Sequence, residues 1–114
     1  MRSKQNKISR QHFDELLRSG RSLHSPHVKL VYILNASDVT HNKYSFIISK
    51  KVAKKAVQRN KLKRRGYYII SKNKAYIKAQ SVLFLFFKKG ALDITFKELE
   101  DEITDLLRKA KLLK

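Results

Sequence analysis

Hydrophobic spacing along this chain alternates between helical and strand periods, and the switches divide it into elements. Phe13, Leu16 and Leu17 fall at i, i+3 and i+4, with Ser9 as an N-cap before them and Gly20 at a natural helix stop after them. That spacing predicts a helix over about 10–19. Residues 21–24 can add a short strand before Pro26 interrupts the chain. Beyond it Val28, Leu30, Tyr32 and Leu34 alternate with Lys29, Val31 and Ile33. Both parities are largely apolar, as in an inner strand covered on both faces, here about 28–35. The polar stretch 37–42 reads as a loop. Tyr44, Phe46 and Ile48 then alternate with Ser45, Ile47 and Ser49, a second long strand over 43–49, joined to the first as a hairpin.

Val52 to about Lys74 reads as a central helix with a ragged apolar stripe of Ala53, Ala56, Val57, Leu62, Ile69 and Ile70. Gly66 weakens it by about 1 kcal/mol relative to alanine. The continuous run Val82 to Phe87 has strand length, about 81–88, and Gly90 ends it. Local signals are clearest in the last helix. Thr95 and Glu98 form a capping box, Ile94 and Leu99 a hydrophobic staple, and Phe96, Leu99, Ile103, Leu106, Leu107 and Ala110 a stripe at helical period. The order α-β-β-α-β-α, with the extra short strand, predicts an α+β sandwich: one four-stranded mixed sheet with three helices. A chain of 114 residues makes this a single domain over 1–114, with a polar, flexible stretch at 1–7.

Charge changes the picture. Lysine and arginine number 27 and acids 9, a net charge of +18. A folded domain this basic repels itself, and a polyanion is the usual compensation. Six of the nine acids lie between Asp93 and Asp105, and none of the 54 residues from Val39 to Leu92 is acidic, although they carry 15 basic residues. A solvated surface mixes its signs; this stretch reads as a face built for phosphates. The chain has no cysteine, which excludes disulfides, thiolate nucleophiles and cysteine-type zinc sites together. The basic N-terminus is followed by no apolar segment of signal-peptide type, and the longest apolar run is far below the ~20 residues of a membrane span. The expected compartment is the cytoplasm.

The segment from Ser49 to Arg65 concentrates the candidate chemistry: Lys50, Lys51, Lys54, Lys55, Arg59, Asn60, Lys61, Lys63, Arg64 and Arg65. On a helix, Lys55, Arg59 and Lys63 fall four apart, and Lys61, Arg64 and Arg65 widen the stripe. Each cation repels its neighbours by a few tenths of a kcal/mol, so the helix does not gather them for its own stability. Arginine offers a planar fork that suits phosphate, and Asn60 can donate and accept beside it.

This segment also resembles the protein subunit of bacterial ribonuclease P. That family shows a Ser-Lys-Lys turn after a strand, then a helix with an Arg-Asn-Arg core followed by Lys-Arg. The matching residues here are Ser49-Lys50-Lys51-Val52, Ala56-Val57, Arg59-Asn60-Lys61 and Lys63-Arg64. Phe13, Gly20, the Tyr44–Ser49 strand and the late apolar strand with its helix extend the resemblance over about 7–110. Lys61 stands where the family usually has its second arginine, Tyr67-Tyr68 where it has Arg-Glu or Arg-Gln, and Gly66 where an apolar residue is expected.

The resemblance implies a ribosomal protein S5 domain 2-like fold with a left-handed crossover from the 43–49 strand through the central helix to the 81–88 strand, against the general right-handed rule. The N-terminal and C-terminal helices are expected to pack on one face of the sheet, with the central helix crossing between strands. The resemblance also implies a function: a large RNA subunit holds the catalytic Mg²⁺ ions and removes the 5′ leader of precursor tRNA, while the small, monomeric protein binds both. The helix bearing Arg59, Asn60 and Lys61, extended by Lys63, Arg64 and Arg65, would face the catalytic RNA. Phe13, Val31 and Phe87 would line the leader cleft. No catalytic residue, metal or cofactor is expected on the protein itself.

Two other readings compete. A ribosomal protein or general RNA chaperone would share the electrostatics, and the Ser49–Arg65 pattern argues against it. A protein-only nuclease would need clustered carboxylates. Glu98–Glu102 and Asp101–Asp105 are i,i+4 pairs, but they also fit solvated positions of a capped helix. His24 and His27 flank Pro26 without a third ligand and read as exposed loop histidines.

Overall fold

The run Val82–Phe87 is apolar at every position, so it needs a neighbour on each edge and cover on each face. In the computed structural model, which describes residues 20–33, 43–78 and 81–113 together with Asp14 and Arg18, it is an inner strand. The strands are β1 (Arg21–His24), β2 (Val28–Ile33), β3 (Lys43–Ile47) and β4 (Val82–Phe87). They form one sheet in the order β1-β2-β4-β3. β1 and β2 are antiparallel across the Pro26 turn, β2 and β4 are antiparallel, and β3 runs parallel to β4. The hairpin expected between 28–35 and 43–49 is therefore not formed. β4 separates the two strands, because the most apolar segment gains most from the central position.

Two α-helices are described, α1 (Ala56–Asn73) and α2 (Phe96–Lys109). The helix expected over 10–19, the flexible stretch 1–7 and the loop 37–42 lie outside the described residues, apart from the isolated positions Asp14 and Arg18. α1 begins four residues later than the expected Val52. Both helices press on the same face of the sheet. Leu62, Ile69 and Ile70 of α1 and Leu99, Ile103, Leu106 and Leu107 of α2 join Leu30, Tyr32, Phe46, Leu83, Leu85 and Phe87 in the main core. The C-terminal helix thus shares its face with the central one. On the opposite face Val31, Val82 and Phe84 form a second cluster with Ile33, Ile47 and Phe86.

Gly66 explains how α1 docks so closely. A Cβ there would lie 2.5 Å from Cε1 of Phe46, and the ring sits in that gap. After α2, Lys111 takes a left-handed φ of 59°, which turns the chain so that Leu113 bridges to Ile77. Among the described residues, no helix is long and apolar enough to cross a membrane.

Candidate nucleic-acid interface

Eight residues between β3 and α1 carry four lysines, and their backbone is folded back on itself. Ser49 O accepts the N–H groups of Val52 and Ala53, both at 3.1 Å. Ala53 is buried beneath the turn, while Lys50, Lys51, Lys54 and Lys55 stay exposed. Helix α1 starts without an oxygen-bearing N-cap, since Lys55 occupies that position. Two later side chains compensate. Gln58 Oε1 accepts the Lys55 N–H at 3.2 Å, and Arg59 Nη1 donates to Ala53 O and Lys54 O, each at 2.9 Å. Half-buried Arg59 is thus a brace between turn and helix as well as a cation.

The remaining basic residues separate by face. Leu62, Gly66, Ile69 and Ile70 point into the core, which leaves Asn60, Lys61 and Arg64 exposed on the other side. Lys63 and Arg65 lie on the flanks, half-buried, and Arg65 Nη1 reaches Ile94 O just ahead of α2 at 3.4 Å. Val57, Asn60, Lys63, Arg64 and Tyr67 line an open hollow of about 420 Å³. Val57 is 66% exposed. The structure therefore groups Asn60, Lys63 and Arg64 around one hollow and leaves the turn lysines, just ahead of α1, and Lys61 exposed. Tyr67 and Tyr68, named in the sequence only as departures from the family pattern, lie three and four residues beyond Arg64, and that spacing is the signal that places them beside it.

Of the three residues expected in one apolar cleft, the two described ones, Val31 and Phe87, do not share a face. Phe13 lies outside the described residues. Val31 pairs with Phe84, and Phe87 with Val28, so Val31 and Phe87 point to opposite faces of the sheet. Phe87 is 4% exposed in the main core, with its ring stacked on Phe46 at 5.9 Å. It is covered by the helices and is not a cleft residue. Parity alone did not reveal this, because the relative register of two strands is fixed only by their pairing.

A larger hollow, about 720 Å³, lies between the Pro26 turn, the end of α1 and α2, but Glu100, Asp101, Glu102 and Asp105 line it among the cations. The carboxylates have structural partners. Asp101 pairs with Lys97, Asp105 with Lys109 and Glu100 with Lys72, and Glu98 accepts the Thr95 N–H as the second half of the capping box. Glu102, expected to be solvated, instead ties down the β1–β2 turn. Its Oε1 accepts Ser25 Oγ at 2.6 Å and the His27 N–H at 2.9 Å, and its Oε2 lies 2.7 Å from His27 Nδ1. Partial burial pushes the Glu102 carboxyl up, but the hydrogen bonds from Ser25 and His27 outweigh it and hold the carboxyl below its ordinary value. Glu98 is also lowered, by its bonds to Thr95. His27 is therefore not a free loop histidine; Ser25 bonds the carboxylate rather than the ring, so no Ser-His-Glu relay is assembled.

A basic turn and helix beside a mixed sheet has close counterparts. A family model described as Ribonuclease P matches residues 1–111. The Ribonuclease P protein component of Rickettsia canadensis is 30% identical over 105 residues, spanning 85% of this chain and 89% of that protein. Its counterpart from Synechococcus elongatus is 31% identical over 107 residues, spanning 91% and 88%. The RNase P protein of Staphylococcus aureus superimposes with a TM-score of 0.86 at 23% identity, covering 96% of this chain and 98% of that one. That of Thermotoga maritima gives 0.78 at 21% identity, covering 90% and 96%. These structures share the four-stranded sheet and helix arrangement. With the family match running through the basic segment and nearly the whole chain, the protein belongs to the ribonuclease P protein family and acts in tRNA 5′ processing as the protein component of that endoribonuclease, in association with its RNA.

Proposed function

We propose that the Ser49–Lys55 turn and the outer side of α1 form the surface that grips the catalytic RNA, and that the protein also binds the 5′ leader of precursor tRNA to promote its endonucleolytic removal. The carrying observation is the exposed set of Lys50, Lys51, Lys54, Lys55, Asn60, Lys61 and Arg64, in a stretch free of acids from Val39 to Leu92. Lysines on the exposed side of the turn neutralise phosphates as point charges, and Arg64 can clamp one bidentately. The N-terminus of α1 adds its own positive dipole end in the same place. Arg59 serves this surface by holding the turn lysines in position, and Lys63 and Arg65 support it from the flanks.

For the leader, Val31 supports the reading on the second face of the sheet, beside half-buried Phe86 with Lys29 Nζ 5.7 Å from its ring centroid. A cation next to apolar and aromatic groups suits a single strand. Catalysis and the Mg²⁺ ions belong, on this reading, to the RNA. The protein is a cytoplasmic monomer without nuclease activity of its own, and its β3-α1-β4 crossover is left-handed in an S5 domain 2-like fold. Family membership supports each of these.

Binding to the catalytic RNA across a salt series tests the assignment. Arg64→Ala should weaken binding, and each lost phosphate contact should flatten the log–log salt dependence by somewhat under one unit. Unchanged affinity and slope in both Arg64→Ala and Lys54→Ala would move the RNA surface away from α1.

A further inference from the structure

Asn60, Arg64, Tyr68 and Lys72 are spaced by four along α1 and all four are exposed. Residues four apart are neighbours on a helix, so they form one ridge. Tyr68 is 58% exposed, a large aromatic ring left in water beside the arginine that faces phosphate. The core does not need it there, since α1 buries Leu62, Gly66, Ile69 and Ile70 on the other side.

The ring is also held. Phe96, the first residue of α2, meets it in a T-shaped contact with centroids 5.6 Å apart. Lys72 Nζ lies 5.9 Å from its centroid and is itself fixed by Glu100 at 2.7 Å. Phe96 in turn packs against the main core. A platform whose rotamer is set in advance loses little freedom when a flat ligand stacks on it.

We propose that Tyr68 is a stacking platform for an unpaired base of the catalytic RNA, next to a phosphate held by Arg64. The inference rests on the proposal that α1 faces that RNA. Its occupant follows from charge and shape: the cations along the ridge select a polyanion, and an exposed ring between two of them suits a base splayed from a loop or bulge. Tyr68 adds affinity without adding a phosphate contact, which separates its signature from that of Arg64.

The chain contains no tryptophan, so Tyr68→Trp introduces a single indole at the platform. Its fluorescence should be quenched by the catalytic RNA, saturating at the concentrations where binding saturates. Tyr68→Ala should bind that RNA about tenfold more weakly with an unaltered salt slope, whereas Tyr68→Phe should bind like the parent protein. Thermal melts of all three variants show that each is folded at the assay temperature. Parent-like binding by Tyr68→Ala, or an unquenched indole in a Tyr68→Trp protein that still binds, overturns the platform while leaving the α1 interface intact. Quenching by precursor tRNA but not by the catalytic RNA overturns it as well. Failure of the underlying interface looks different, because Arg64→Ala would then bind normally too.

Discussion

Helix α2 begins at Thr95, whose hydroxyl accepts the Glu98 N–H at 3.1 Å while Glu98 Oε1 accepts the Thr95 N–H at 2.9 Å. Helix α1 begins at Lys55, which has no oxygen to offer. α2 carries an acid in its first turn and Arg108 and Lys109 in its last, each matched to the helix dipole; α1 has no acid in its first turn and sets Lys54, Lys55 and Arg59 at its positive end, where cations are unfavourable. α2 therefore brings its own reasons to be helical. α1 is held by what it packs against, and the charges that weaken it alone are those an RNA would neutralise. On the proposed reading, the difference between the helices marks the one that meets the nucleic acid.

The contrast breaks most easily at Gly66. A glycine inside α1 costs about 1 kcal/mol of helix propensity, yet a Cβ there would lie within 2.5–2.9 Å of three atoms of the Phe46 ring. That ring cannot swing aside freely, since Tyr67 stands edge-on at 4.7 Å and Phe87 is stacked at 5.9 Å. Gly66→Val should lower stability by about 1–3 kcal/mol despite its better propensity, because overpacking outweighs it. Chemical denaturation measures the loss. The double variant Gly66→Val/Phe46→Leu should recover part of it, and additive losses would mean that the ring is not the obstacle.

The sequence carried this contrast only in part. The capping box, staple and stripe of α2 are all local, so they could be read from Ile94 to Ala110 without knowing the fold. The start of α1 could not, because Ser49 O and the Arg59 guanidinium hold the turn through contacts that depend on its geometry. The strands were legible to within two residues from their alternation. Their order was not, since nothing within β3 says that β4 will separate it from β2. The basic surface was legible because charge needs no register. The cleft trio was not, because whether Val31 and Phe87 share a face depends on the pairing of Val31 with Phe84. The role of Glu102 was not legible for a related reason: its partners, Ser25 and His27, are more than seventy positions away.

That long-range tie gives α2 a weakness of its own under acid. Hydrogen bonds from Ser25 and His27 hold the Glu102 carboxyl below its ordinary value in the folded protein. Between the folded and unfolded values the unfolded chain binds more protons, so acidification favours unfolding there. The stabilisation is complete above the ordinary carboxylate range, near pH 4.3 for glutamate, and is lost as pH falls through the lowered folded value. Glu102→Gln should cost on the order of 1 kcal/mol at neutral pH, and its melting temperature should fall less steeply with acid than that of the parent. Parallel pH profiles for the two proteins would show that this tie contributes nothing.

Exchanging the caps gives the smallest effects and the sharpest comparison. Thr95→Ala removes the side-chain acceptor of α2 and should cost about 1 kcal/mol, with the salt slope of RNA binding unchanged because no cation is removed. Lys55→Ser does the reverse in α1. It supplies the missing N-cap oxygen and takes a cation away from the positive end of the helix, so stability should rise by about 0.5–1 kcal/mol. The same change deletes one exposed cation from the RNA surface. Affinity for the catalytic RNA should fall, and the salt slope should flatten by somewhat under one unit. A lysine at a cap position is then explained as a stability cost retained for binding. If Lys55→Ser is more stable and binds RNA as tightly at every salt concentration, the poor cap of α1 has no functional reason, and the difference between the two helices no longer identifies the interface.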